Sequence, residues 1–177
     1  TGSNLPAQID IYAGHGDEWI TEEEPLDGAL QPEVVFGPVR AMEEMVRAMP
    51  EERLAWSILR GGEFVGPDTL EAVTIENVRA GREPIVCGGR HFLPLVHVTD
   101  AAAAFTDAAR HAPPGSVFNI VSEPIRQRDY LEGLAARLGA PHPPQVDAAP
   151  CPPSLRCSSR RARSLLGWAP RRGIWPM

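Results

Sequence analysis

A chain of 177 residues, 43% of them hydrophobic, is long enough for one domain with a core of its own and too short for two of ordinary size. The formal net charge is −6 and all 17 basic residues are arginines, so no chemistry that needs a lysine ammonium of tunable pKa falls to these residues. No apolar run nears the roughly 18 residues of a membrane span, and no basic stretch followed by an apolar one opens the sequence, so a cytoplasmic protein with no membrane partner is expected.

In chain order, Gln8 to Tyr12 is β-branched and apolar enough for a short strand, and His15 to Gln31 reads as an acidic, exposed loop. From Pro38, a favourable first-turn residue, Met42, Met45, Val46 and Met49 recur at helical spacing as one apolar stripe that Pro50 ends. Leu54 to Leu59 reads as a buried strand leading into a Gly61-Gly62 turn. A helix follows Asp68 with Leu70, Val73 and Val78 inward, and Pro84 to Cys87 and Leu95 to Val98 are short strands. Thr99 or Asp100 caps an alanine-rich helix that ends near His111. After the Pro113-Pro114-Gly115 turn come a strand from Val117 to Val121 and a helix from Tyr130 to Leu138, with Leu131, Leu134, Ala135 and Leu138 on one face and Gly139 as its stop. Six prolines between Pro141 and Pro153 imply an extended surface segment, and a last helix runs from Ser158 or Ser159 to Gly167. Alternating strands and helices make this an α/β chain.

Charge and cysteine usage narrow the function. Twelve carboxylates and two arginines lie between Asp10 and Glu52, whereas the residues after Asp147 hold six arginines and no acid. Arg160, Arg161 and Arg163 nevertheless fall on an expected helix whose other face is Ala162, Leu165 and Leu166. No aromatic is interleaved to stack a base, so no nucleic-acid partner is expected. Cys87, Cys151 and Cys157 are odd in number, without C-x-x-C spacing or a histidine cluster; reduced structural thiols and no metal site are expected.

Five blocks, in order, carry a resemblance. Ile11-Tyr12-Ala13 with Ile20-Thr21-Glu22 and Pro25-Leu26 is similar to "VYG … ITE … PL". Ile58 to Pro67 is similar to "ILRPGNVYGP" and Leu95 to Ala102 to "FVHVDDVA". Gly115 to Ile120 is similar to "GEVYNIG" and Ala162 to Pro170 to "KARELGWXP". Over roughly residues 9 to 172 the chain resembles the second half of the extended short-chain dehydrogenases/reductases, the NAD-dependent epimerase/dehydratase family. The resemblance implies part of a Rossmann-type parallel sheet with a small C-terminal α/β substrate-binding lobe. It divides the chain into residues 1–67 as a remnant of the nucleotide-binding domain and 68–177 as the lobe.

It also implies NAD or NADP as cofactor. The family's glycine-rich phosphate loop, where a helix N-terminus receives the pyrophosphate, has no counterpart in these residues, so this chain alone is not expected to bind the dinucleotide. Family members use a tyrosine as acid/base, a lysine four residues later and an upstream Ser/Thr. Phe36, Arg40 and Gln8 stand at those positions, so the catalytic motif is degenerate; Phe36 has no proton to give and Arg40 effectively never loses one. Arg40 holds a ribose or phosphate in one reading and is a solvated helix arginine in the other. Gly61 and Gly62 allow the cofactor amide and substrate to approach, Glu63 and Phe64 point into a cleft where Glu63 is a candidate catalytic base if burial raises its pKa, and Arg90 and His91 contact an anionic substrate; each also has a plain structural reading. His97 reads better as a core histidine. Leu93-Pro94 replaces the Arg-Asp pair of nucleotide-sugar enzymes, which favours a small carbonyl or alcohol substrate over a sugar. Two functions follow: the substrate half of an NAD(P)-dependent epimerase/reductase, or a non-catalytic ligand-binding or interaction protein derived from one. The expected partners are a small-molecule substrate and either a second copy or a chain supplying the remaining Rossmann strands, with residues 8 to 60 forming most of the contact.

Overall fold

The computed structural model describes residues 19–23, 33–50, 52–146 and 161–162. The expected strand at 8–12 and most of the last helix lie outside the described residues. Two short parallel strands, β1 (Trp19–Ile20) and β10 (Arg161–Ala162), pair with each other, so the described part of that last segment is strand and not helix. Pairing with β1 supplies a hydrogen-bonding partner that local periodicity does not show.

Helix α1 (Glu33–Arg47) begins before Pro38, which sits inside it. Among its described side chains Val39 and Glu43 are buried, while Met45 of the methionine stripe is 66% exposed. Strand β2 (Ser57–Gly61) pairs in parallel with β7 (Ser116–Ile120) along five residues, and β3 (Glu63–Val65) pairs in parallel with β6 (Leu95–His97). Both pairings join residues on either side of position 67. Helix α2 (Glu71–Arg79) buries Val78 but leaves Leu70 and Val73 exposed, unlike the inward face expected for it. Strand β4 (Ile85–Val86) runs through a 3-10 turn, Cys87–Gly89, to β5 (Phe92–Leu93).

Helix α3 (Val98–His111) is capped by His97, whose Nδ1 accepts from the Thr99 N–H, rather than by Thr99 or Asp100. His97 is therefore a capping residue at the edge of the core. The antiparallel pair β5–β8 (Ile125–Arg126) leads into α4 (Gln127–Leu138), which Gly139 ends in the left-handed conformation at φ 60°. The proline-rich stretch contributes β9 (Gln145–Val146), parallel to β4. Cys87 is disulfide-bonded, which corrects the expectation of a reduced thiol at that position.

Two cores lie on opposite faces of the β3–β6 pair. Phe64 and Val96, register partners, face the first, built from Leu59, Phe118, Ile120 and the α3 stripe Ala101, Ala104 and Ala108. Val65 and Leu95 face the second, with Val78, Ile85, Tyr130, Leu131 and Ala135. The pleat makes this sorting automatic, because successive side chains leave a strand on opposite sides. The whole is α/β, with four parallel and one antiparallel strand pairs among the described residues.

Candidate functional site

A cavity of about 150 Å³ opens on the second face of the β3–β6 pair, between α2 and α4. Val65, Leu95, Tyr130 and Leu131 are its buried floor, and Glu63, Thr74 and Glu83 stand nearer solvent. Glu71, in the first turn of α2, holds the wall together. One carboxylate oxygen accepts from the Tyr130 hydroxyl at 2.8 Å and the other from the Gly66 N–H at 2.6 Å. The Thr69 hydroxyl donates to the Gly66 carbonyl at 2.7 Å, which folds the loop after β3 back onto the helix start. Gln127, also lining the cavity, accepts the Val86 N–H at 3.1 Å and ties the start of α4 to β4.

The electrostatics of this wall are one-sided. Burial, first, then the hydrogen bond to Glu71 and the charges of Glu71, Glu63 and Glu83 push the Tyr130 phenol well above its ordinary range. At neutral pH the site offers a neutral phenol and converging carboxylates, and no arginine or histidine stands among the described residues that line it.

A second polar centre fastens α1 to the sheet. Arg60, at the end of β2, donates from Nε and Nη2 to the two oxygens of Glu43, each at 2.9 Å, with the two residues 5% and 3% exposed. Arg47 adds a contact to Glu43 at 3.2 Å from the next helical turn. The Glu22 carboxylate receives the Asn119 N–H at 2.9 Å, extending the network to β7. A bidentate guanidinium–carboxylate pair has little rotational freedom, so it fixes the register of α1 against β2.

The sequence-derived site residues are dispersed over this frame. Gln8 lies outside the described residues. Phe36 is on α1, and Arg40 is half-buried on the same helix, four residues later. Gly61 and Gly62 are buried at the end of β2. Glu63 lines the cavity, whereas Phe64 packs on the opposite core and is not among the lining residues. Arg90 is exposed, and its carbonyl accepts from Arg126. His91 is buried and its carbonyl accepts the Gln127 N–H at 2.9 Å, so both residues belong to the joint between β5 and α4. The sequence reading missed Glu71, Glu83 and Tyr130. The one available signal was Tyr130 itself, since a tyrosine on an apolar helix face needs a partner for its hydroxyl.

These residues do not by themselves fit a dinucleotide. A Cβ at Gly62 would lie 2.1 Å from the Pro94 carbonyl oxygen, so the chain's own backbone occupies the space the glycine leaves. The Arg60 guanidinium is committed to Glu43. Among the described residues no glycine-rich turn precedes a helix.

Residues 10–121 match the NAD dependent epimerase/dehydratase family. A 3-diazoavenalumate denitrifying reductase from a Streptomyces species is 32% identical over 188 residues, covering 97% of this chain and 62% of the relative. Among solved structures, dTDP-glucose 4,6-dehydratase from Bacillus anthracis in complex with NAD has a TM-score of 0.72 at 19% identity, over 92% of this chain and 54% of that one. The human epimerase family protein SDR39U1 with NADPH has a TM-score of 0.64 at 17% identity, over 82% and 51%. At such identities the structures speak for the fold, which is part of a Rossmann-type α/β architecture. The chain spans somewhat over half the length of these proteins. With a family match across most of the sequence and strand pairs in parallel register, the chain belongs to the NAD-dependent epimerase/dehydratase family.

Proposed function

We propose that these residues form the substrate-binding part of an NAD(P)-dependent reductase of this family, acting on a small carbonyl, alcohol or related substrate, with the dinucleotide held by residues other than these 177. The observation that carries the reading is the cavity behind β3, a ring-sized, partly polar space in the part of the chain that follows the Gly61-Gly62 turn. Two facts support a reductase over a nucleotide-sugar enzyme. Leu93 and Pro94 stand where those enzymes carry an Arg-Asp pair, and Leu93 lines the cavity as an apolar wall. The 32% identical relative is, by its name, a reductase that acts on 3-diazoavenalumate.

A second reading rests on Phe36, Arg40 and Gln8: with no phenol, amine or hydroxyl at the family's positions, the protein binds a ligand or partner and moves no hydride. A chimera separates the two. The part of the reductase relative that precedes its match is fused ahead of this chain, and NADPH binding and NADPH oxidation are measured against aldehydes, ketones and arenediazonium cations. Oxidation that depends on one of these substrates supports the reductase. NADPH binding without turnover, restored by Phe36→Tyr with Arg40→Lys, supports the degenerate, non-catalytic protein. In the chain without the added half, the same double substitution yields no dehydrogenase activity, because no phosphate cradle is present.

A further inference from the structure

We propose that the cavity between α2 and α4 recognises a positively charged or donor-rich planar ring, such as an amidine or an arylamine, and rejects anions. The inference rests on the reading of this lobe as substrate-binding and names the class of group that enters it. A volume of about 150 Å³ matches a cavity that holds one six-membered ring. Val65, Leu95 and Leu131 give the ring an apolar floor, and the polar wall is made mostly of acceptors.

The committed hydrogen bonds fix that polarity. The Tyr130 hydroxyl donates to Glu71, so it does not serve an anion; the Gln127 side-chain oxygen accepts from the Val86 N–H, which leaves that amide's N–H groups as a donor on a wall otherwise built mainly of carboxylates. Glu71 is satisfied by two neutral donors, Tyr130 and the Gly66 N–H, and Glu83 by the Asn77 amide at 3.1 Å. Both carboxylates therefore keep lone pairs for a ligand and neither is neutralised by a cation. A carboxylate or phosphate entering the cavity would meet like charge from Glu71 and Glu83 in a partly desolvated space, where repulsion is strengthened. An amidinium offers paired N–H groups to two carboxylate walls and its ring to the floor, the arrangement in which charge-assisted hydrogen bonds are strongest.

The test is calorimetric titration of the protein with benzamidine, its neutral isostere benzamide and the anion benzoate. We expect benzamidine to bind at least about tenfold more tightly than benzamide, and benzoate to show no binding. Glu71→Gln and Glu83→Gln should each weaken benzamidine about tenfold and leave benzamide unchanged. Should Glu71→Gln lose its cooperative thermal transition, Glu83→Gln, nearer the rim, carries the test alone. Benzamidine binding no tighter than benzamide, or binding that Glu83→Gln leaves intact, overturns the proposal. The titration involves neither cofactor nor turnover. A chimera without reductase activity thus refutes the function and leaves the cavity's selectivity standing, and an indifferent cavity in an active chimera does the reverse.

Discussion

Tyr130 shows how one side chain can carry a pH dependence for the whole lobe. Its phenol is buried, bonded to Glu71 and surrounded by carboxylates, all of which favour the protonated form and raise its pKa in the folded state. In the unfolded chain it titrates at about 10. The folded state therefore holds its proton more tightly, and the stabilisation is complete below pH 10 and is lost as pH rises from there toward the folded value. Urea unfolding followed from pH 8 to 11 should show stability falling above pH 10 by up to about 1.4 kcal/mol per pH unit, a slope that Tyr130→Phe abolishes. At neutral pH the same substitution should cost roughly 1–3 kcal/mol, because Glu71 loses a donor in a half-buried site. A Tyr130→Phe curve parallel to the parent above pH 10 would show that this phenol is not held neutral by the fold. The Glu43–Arg60 pair is the other residue with a large stake: Glu43→Ala leaves a guanidinium buried without its bidentate partner and should destabilise by about 3–5 kcal/mol. Replacing both members, Glu43→Leu with Arg60→Met, should cost much less than the single change, and a double-mutant cycle by urea unfolding measures the difference.

At the level of elements, two glycines separate packing from conformation. Gly62 joins β2 to β3 with the Pro94 carbonyl against its Cα, so an added methyl meets backbone that cannot yield. Gly139 ends α4 at φ 60° with open space around it, so alanine there meets only conformational strain. Gly62→Ala should cost about 3 kcal/mol or more and Gly139→Ala about 1–2 kcal/mol in chemical denaturation, an order that reverses if the β2–β3 turn is loose. The contrast between helices also explains what could be read from sequence. Helix α4 was legible because Leu131 and Ala135 recur on one face and a glycine stands just beyond the end, all local signals. Helix α1 was legible as a helix from its methionine spacing, but its buried face was not, because that face turns on Glu43, and a glutamate enters a core only when a partner meets it; that partner, Arg60, lies 17 residues away on β2. The cavity was hidden for the same reason: Glu71 and Tyr130 are 59 positions apart, and no spacing rule brings them together. Glu63 and Phe64 were singled out together from their place after the Gly61-Gly62 turn; the strand pleat puts Glu63 on the cavity wall and Phe64 on the other face.

For the molecule as a whole, the features that resisted local reading converge on assembly. Met45, Met49 and Leu54 are exposed by 66%, 37% and 40%, in one stretch running from α1 toward β2. A surface of methionines and leucine on and just after the helix that the Arg60–Glu43 pair holds against the sheet is costly to leave in water, and methionine adapts to an imperfect partner. We expect a second copy to cover this side. In a two-fold pairing the same helix meets itself, so each methionine counts twice and one substitution acts on both halves of the interface. Light scattering at micromolar concentration should give the mass of a dimer, and Met45→Glu, which sets two like charges near the two-fold axis, should give a monomer with an unchanged urea midpoint for the isolated fold. The contrast requires both results: a parent chain that is already monomeric, with a stability that Met45→Glu leaves untouched, would mean that the α1 face meets only solvent.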